Sequence, residues 1–148
     1  MPRIERRAEV VWEGNVARGV GSISAGTGAF TALPFSLPTR IGQAEGKTSP
    51  EELLAAAHGG CLAMALAGEL TGAGTPPGRL DVSCLIVMDE VEDQGHQVVA
   101  SRVEAVVAAE GLDDAGLQDA LARADEGCPY SALLKRAGVE VHVSARLA

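Results

Sequence analysis

The chain has 148 residues, 47% of them hydrophobic, which is the size and apolar content of a single core-bearing domain spanning 1–148. A formal net charge of −8 opposes the phosphate backbone, and 3% aromatic residues leave little to stack on bases, so nucleic acid is excluded as a partner. The opening MPRIERRAEVVWEG scatters charges of both signs where a secretory signal needs an unbroken apolar run, which makes a cytoplasmic location the expectation.

In chain order, Ala8–Glu13 reads as a strand, and Val16–Ser24 follows a Glu-Gly-Asn turn signal, so the protein is expected to begin with a hairpin. Residues 26–46, rich in Gly, Pro and Ser and containing Phe30, Phe35 and Arg40, read as loop with one short strand. Ser49-Pro50-Glu51-Glu52 is a helix start, with Ser49 as N-cap, Pro50 at the first helical position and Glu52 closing a capping box. That helix is expected to run to about Leu70. Its interior is apolar on all sides, as in a helix wrapped by other structure. The apolar run Leu53–Ala67 is interrupted by His58, Gly59 and Gly60 and is shorter than the roughly twenty residues that span a bilayer, so no membrane role is expected. Two adjacent helical glycines each cost about 1 kcal/mol relative to alanine, so Gly59 and Gly60 suggest the close approach of another backbone or a second chain.

After a Gly- and Pro-rich connection, Leu80, Val82, Cys84, Ile86 and Met88 alternate as in a strand, and Val99, Val103, Ala105 and Val107 share one face of the next. Asp113 or Asp114 caps a helix with Leu117, Ala120, Leu121 and Ala124 on one stripe. Cys128 stands where a further helix begins, with Pro129 at its first position and Gly138 just past its end. Val139, Val141, Val143, Ala145 and Leu147 alternate in a last strand, giving the order β-β-β-α-β-β-α-α-β and an α+β class.

The chemistry rests on thiols. Three cysteines in a cytoplasmic chain do not form a structural disulfide framework, and neither Cys-x-x-Cys nor His-x-x-x-His spacing supports a zinc site. Cys61 lies about three turns into a buried helix, where the dipole has faded and burial raises a thiol pKa. To react it needs a nearby cation, and Arg40, in a loop otherwise poor in charge, is the candidate. Cys128, at a helix N-terminus, has backbone N–H groups and the positive dipole end to stabilise its sulfur as an anion, and is equally readable as a small helix-start residue. Cys84, on an apolar strand face, reads as a small hydrophobe, as Cys61 also does without assistance.

Thr39-Arg40, then Thr48-Ser49-Pro50-Glu51-Glu52-Leu53-Leu54-Ala55-Ala56-Ala57-His58 leading to Cys61, together with Gly127-Cys128-Pro129-Tyr130-Ser131, resembles the signature of the OsmC/Ohr family of hydroperoxide reductases, in its OsmC branch. The likeness runs from Val11-Trp12-Glu13-Gly14 to the terminal strand. It implies an OsmC-like α+β fold of antiparallel sheets around long cysteine-bearing helices. It also implies an intertwined homodimer with two active sites at the subunit interface. By that resemblance Cys61 attacks the peroxide, Cys128 resolves the sulfenic acid into a disulfide, Arg40 holds the thiolate and Glu51 orients Arg40. Without the family, Glu51 is a solvated acid favouring a helix start.

The implied partners are an organic hydroperoxide substrate and a dithiol reductant, and no metal, haem, flavin or other cofactor is implied. Two departures bear on the pocket: Gly59-Gly60 stands where alanine-like residues are usual, and Ile41 follows Arg40 where an aromatic is common. His58 belongs to the motif but reads as a packing residue and is assigned no catalytic role. The rival readings are a redox-sensing or hydrophobic-ligand-binding protein on the same fold without turnover, and a structural protein with inert thiols.

Overall fold

A computed structural model of the chain describes residues 2–148. They form two compact units, one ending at Pro50 and one comprising Glu51–Ala148.

The first unit is a three-stranded antiparallel sheet in the order β1 (Ala8–Glu13), β2 (Val20–Ala25), β3 (Leu33–Phe35). The second strand begins at Val20, later than expected, because Asn15 organises the turn: its side-chain oxygen accepts from Arg18 N–H at 2.9 Å and its carbonyl from Gly19 N–H at 2.7 Å. Trp12 and Phe35 meet across the sheet with ring centroids 5.5 Å apart. A Cβ at Gly21 would fall 2.3 Å from the Phe35 ring, so glycine is required between the two aromatics.

The region expected to be loop contains, besides β3, a short helix α1 (Leu37–Ile41). Ser36 is its N-cap and accepts from Thr39 N–H at 3.3 Å, and a proline stands in its first positions. Ser36-Leu37-Pro38 is a capping signal that the surrounding glycines and prolines obscure.

The second unit opens with α2 (Pro50–Gly72). It starts at the expected proline and runs two residues past the expected end. By length and composition alone α2 could cross a membrane. Here it is a core helix: Leu62, Leu66 and Leu70, one turn apart, pack with Val103, Ala105 and Val107 of the sheet and Leu117 and Leu121 of the next helix. The expectation that α2 is wrapped on all sides holds for only part of its circumference. Ala56, Gly60, Met64 and Gly68 form an exposed stripe, with Met64 79% exposed.

β4 (Arg79–Val91) and β5 (Gly95–Ala108) form a long hairpin through Glu92-Asp93-Gln94, in which Gln94 N–H donates to the Val91 carbonyl at 3.0 Å. A register shift opposite Val87 and Met88 takes Val99 out of the ladder; beyond it Ser101, Val103, Ala105 and Val107 point to the core. α3 (Asp114–Gly127) is capped by Asp113, whose carboxylate accepts from Gly116 N–H at 2.8 Å, and buries Leu117, Ala120, Leu121 and Ala124, the stripe its periodicity predicts. α4 (Pro129–Arg136) follows directly, with Cys128 at its N-cap.

β6 (Glu140–Leu147) completes the sheet order β4-β5-β6. Unlike the other pairings, β5 and β6 run parallel, because the α3–α4 crossover carries the chain back before β6 begins.

Candidate active site

α2 and the start of α4 bring the two predicted reacting thiols together. Cys61, half-buried midway along α2, lies beside Cys128, which is fully buried, and both are unbridged thiols packed into the same core. Cys128 makes no side-chain capping bond to α4, so its sulfur is available to Cys61. Its carbonyl accepts from Ala132 N–H at 3.0 Å, which closes the first turn of the helix.

The Tyr130 backbone N–H, in that first turn, lies near the Cys61 sulfur and favours its thiolate form. The sequence reading aims the free N–H groups of α4 at Cys128, but the Cys128 side chain makes no capping bond, and the Tyr130 N–H acts on the neighbouring Cys61. The N–H groups of a first helical turn have no partner within the helix, which leaves them free for a neighbouring sulfur.

Burial pushes the Cys61 thiol above its ordinary value, and the neighbouring Cys128 thiol pushes the same way. Tyr130 N–H pulls it down, but the upward influences prevail. This thiol therefore needs further positive charge to react as a thiolate near neutral pH.

Arg40 lies exposed in the last turn of α1, in the first unit, and Glu51 is half-buried in the first turn of α2. Glu51 precedes Cys61 on the same helix by nearly three turns.

Next to the thiols is a fully buried polar chain. His58, one turn before Cys61 on α2, places Nδ1 2.7 Å from Ser101 Oγ on β5 and Nε2 2.8 Å from Ser131 Oγ on α4. A neutral imidazole donates from one nitrogen and accepts at the other, and hydroxyls can play either part, so both ring nitrogens are satisfied. Desolvation holds the imidazole below its ordinary pKa; Asp125 acts against this and Lys135 with it. Those two form an ion pair of their own, Lys135 Nζ to Asp125 Oδ2 at 2.5 Å, which ties the last turn of α4 to α3.

Sequence reasoning treated His58 as packing and passed over both serines. Ser101 had a signal: it occupies an inward slot of β5, among Val103, Ala105 and Val107, where a polar side chain needs a buried partner.

Cys84, on β4, touches the Ser101 end of the buried polar chain. Its Sγ is 3.5 Å from Ser101 Oγ, and it borders a cleft of about 280 Å³ with Glu52, Ala56, Gly59 and Val82. A Cβ on Gly59 would come 3.2 Å from Cys84 Cβ, so the close approach that Gly59 serves is to this chain's own strand β4. Gly60 faces open space. A groove of about 780 Å³ lies along the sheet, lined by residues such as Asp81, Ser83, Glu104 and Arg146, away from Cys61 and Cys128. Among the described residues no three His, Cys, Asp or Glu side chains gather closely enough to hold a metal ion.

Residues 42–144 match the family described as OsmC-like protein. The chain is 34% identical over 132 residues to the peroxiredoxin OsmC of Escherichia coli (strain K12) and to that of Shigella flexneri, covering 89% of this chain and 91% of each relative. Among solved structures, an organic hydroperoxide resistance protein OsmC from Legionella pneumophila superposes with a TM-score of 0.78 at 21% identity, over 98% of both chains. The organic hydroperoxide resistance protein OhrB of Bacillus subtilis superposes with a TM-score of 0.70 at 26% identity, over 95% of this chain and 98% of its own.

Proposed function

The chain belongs to the OsmC-like protein family, and from that premise we propose that this cysteine-based peroxidase reduces organic hydroperoxides, and more weakly hydrogen peroxide, through Cys61 and Cys128. The observation that carries the reading is the juxtaposition of these two free thiols, far apart in sequence, at the start of α4. The Cys61 thiolate attacks the terminal peroxide oxygen; the O–O bond breaks, a proton is taken up, the alcohol leaves and Cys61 becomes a sulfenic acid. The Cys128 sulfur then displaces hydroxide from that sulfenic sulfur, giving water and the Cys61–Cys128 disulfide. An external dithiol restores both thiols by exchange.

Arg40 supplies the positive charge that the buried Cys61 requires, and Glu51 aims it as a carboxylate–guanidinium pair. The motif order Arg40, Glu51, Cys61, Cys128 supports these roles. The apolar neighbours Leu54 and Leu62 favour a substrate with a hydrocarbon body. We read residues 1–148 as one peroxidase domain in the cytoplasm, where dithiol reductants are at hand.

The functional unit is a homodimer in which a second copy covers the Ala56, Gly60, Met64 and Gly68 stripe of α2, whose small residues permit close helix approach. Sedimentation should give about twice the 15.1 kDa chain mass.

The test is steady-state turnover of cumene hydroperoxide and hydrogen peroxide with a supplied dithiol. Sustained consumption, faster on the organic peroxide and abolished in Cys61→Ser, is the expected result. A chain that forms one disulfide and then stops with dithiol present is a sensor, and retained turnover in Cys61→Ser defeats the mechanism.

A further inference from the structure

The buried chain Ser101–His58–Ser131 is not used by the reaction as described, yet it joins the three elements that surround the thiol pair. His58 stands one turn from Cys61 on α2, and Ser131 stands in the first turn of α4, whose N-cap is Cys128 and whose Tyr130 N–H lies near Cys61. The other ring nitrogen reaches Ser101 on β5, so the imidazole is held from the side opposite α4 and its ring is fixed in orientation. All three side chains are fully buried. Water cannot replace a lost bond there without rearrangement of the core.

α4 is only eight residues long, and its two ends are anchored differently: its last turn by Lys135 to Asp125 on the surface of α3, its first turn by Ser131 to His58 in the interior. The interior anchor is the one next to the sulfur atoms.

We propose that His58 is a positioning residue that pins the start of α4 to α2, holding Cys128 and the Tyr130 N–H over Cys61, and thereby sets the rate of disulfide closure more than the rate of peroxide attack. The division follows from the geometry. Cys61 is carried by a long helix packed along the core, so it stays in place when the bond to Ser131 is cut. Cys128 is carried by the element that the bond restrains. A sulfenic acid that waits for its partner is exposed to a second peroxide and goes on to sulfinic acid.

This inference rests on the thiol chemistry proposed above, and one experiment separates the two. One equivalent of cumene hydroperoxide is mixed with reduced enzyme; peroxide loss is followed directly, and sulfenic acid, disulfide and sulfinic acid are read by mass spectrometry after dimedone quenching. In Ser131→Ala, closure should slow by roughly tenfold or more while peroxide loss changes several times less, since a small misplacement of a reacting group costs rate steeply. The dimedone adduct and sulfinic acid should accumulate, and Ser131→Thr, which keeps the hydroxyl, should restore closure. His58→Phe, which fills the space and cuts both bonds, carries the same expectation if Ser131→Ala does not fold. Closure at the wild-type rate in both Ser131→Ala and His58→Phe overturns the proposal, as does an equal slowing of both steps. A wild-type chain that never joins Cys61 to Cys128 overturns the underlying thiol chemistry, and this role of His58 with it.

Discussion

Cys61 and Cys84 are both half-buried thiols set against the same core, one on the helix and one on the sheet, yet their surroundings differ in kind. Cys61 has the Tyr130 backbone N–H and a second thiol, Cys128, close to its sulfur. Cys84 has the Ser101 hydroxyl at 3.5 Å and, across from its Cβ, the bare backbone of Gly59. Exposure does not separate a reacting thiol from a packing one. The difference lies in the donors and the partner sulfur, and those come from where α4 starts.

The largest effect expected from this contrast is in Cys128→Ser. It should consume about one peroxide per site and then stall, because the sulfenic acid on Cys61 has no resolving thiol and advances toward sulfinic acid as oxidant accumulates. Cys84→Ser should keep wild-type turnover. Mass spectrometry of the oxidised proteins checks both, and a disulfide that includes Cys84 would erase the contrast.

The next effect belongs to Arg40→Ala. Burial and Cys128 hold the Cys61 thiol above its ordinary value. Removing the cation proposed to offset them raises it further, so the thiolate fraction at neutral pH falls and the alkylation profile moves to higher pH. Alkylation and peroxide consumption at pH 7 should both slow by roughly tenfold or more, because an opposite charge beside a thiol favours its anion. Cys84 alkylation should not shift. An unchanged iodoacetamide pH profile at Cys61 removes Arg40 from the site.

Much of this arrangement is legible in the amino-acid order, and the parts that are not share a cause. Helix boundaries came through because Pro50, Asp113 and Pro129 are local signals whose meaning does not depend on the rest of the fold. The buried stripe of α3 came through because its period is local as well. α1 was hidden by composition, since glycine and proline around Ser36 outweigh a single cap. The neighbour of the Tyr130 N–H, the bonds of His58 and the parallel entry of β6 depend on which elements meet, and no window of sequence holds that. The two adjacent glycines show the same limit: the pattern marks a close approach but not its partner.

The smallest effects are therefore expected at those glycines, and they test both sides of α2. Replacing an exposed helical glycine by alanine gains about 1 kcal/mol of helix propensity, which in a chain of this size raises the melting temperature by roughly 3 °C. At Gly59 the added Cβ meets Cys84 Cβ at 3.2 Å, tighter than ordinary contact, so strand β4 must give way by a few tenths of an ångström and the gain is cancelled. Gly59→Ala should melt close to wild type while keeping its sedimentation mass. At Gly60 no described atom beyond the chain neighbours and the helix's own nearby backbone lies within 4 Å of the added atom, so the isolated chain would show the full gain. If a second copy packs along the Ala56, Gly60, Met64 and Gly68 stripe, the methyl instead meets the facing helix, and Gly60→Ala should sediment lighter and melt lower at micromolar concentration. A Gly60→Ala protein that melts roughly 3 °C higher at unchanged mass would show that no second chain touches this side of α2, and would leave Gly59, facing Cys84, as the only constrained member of the pair.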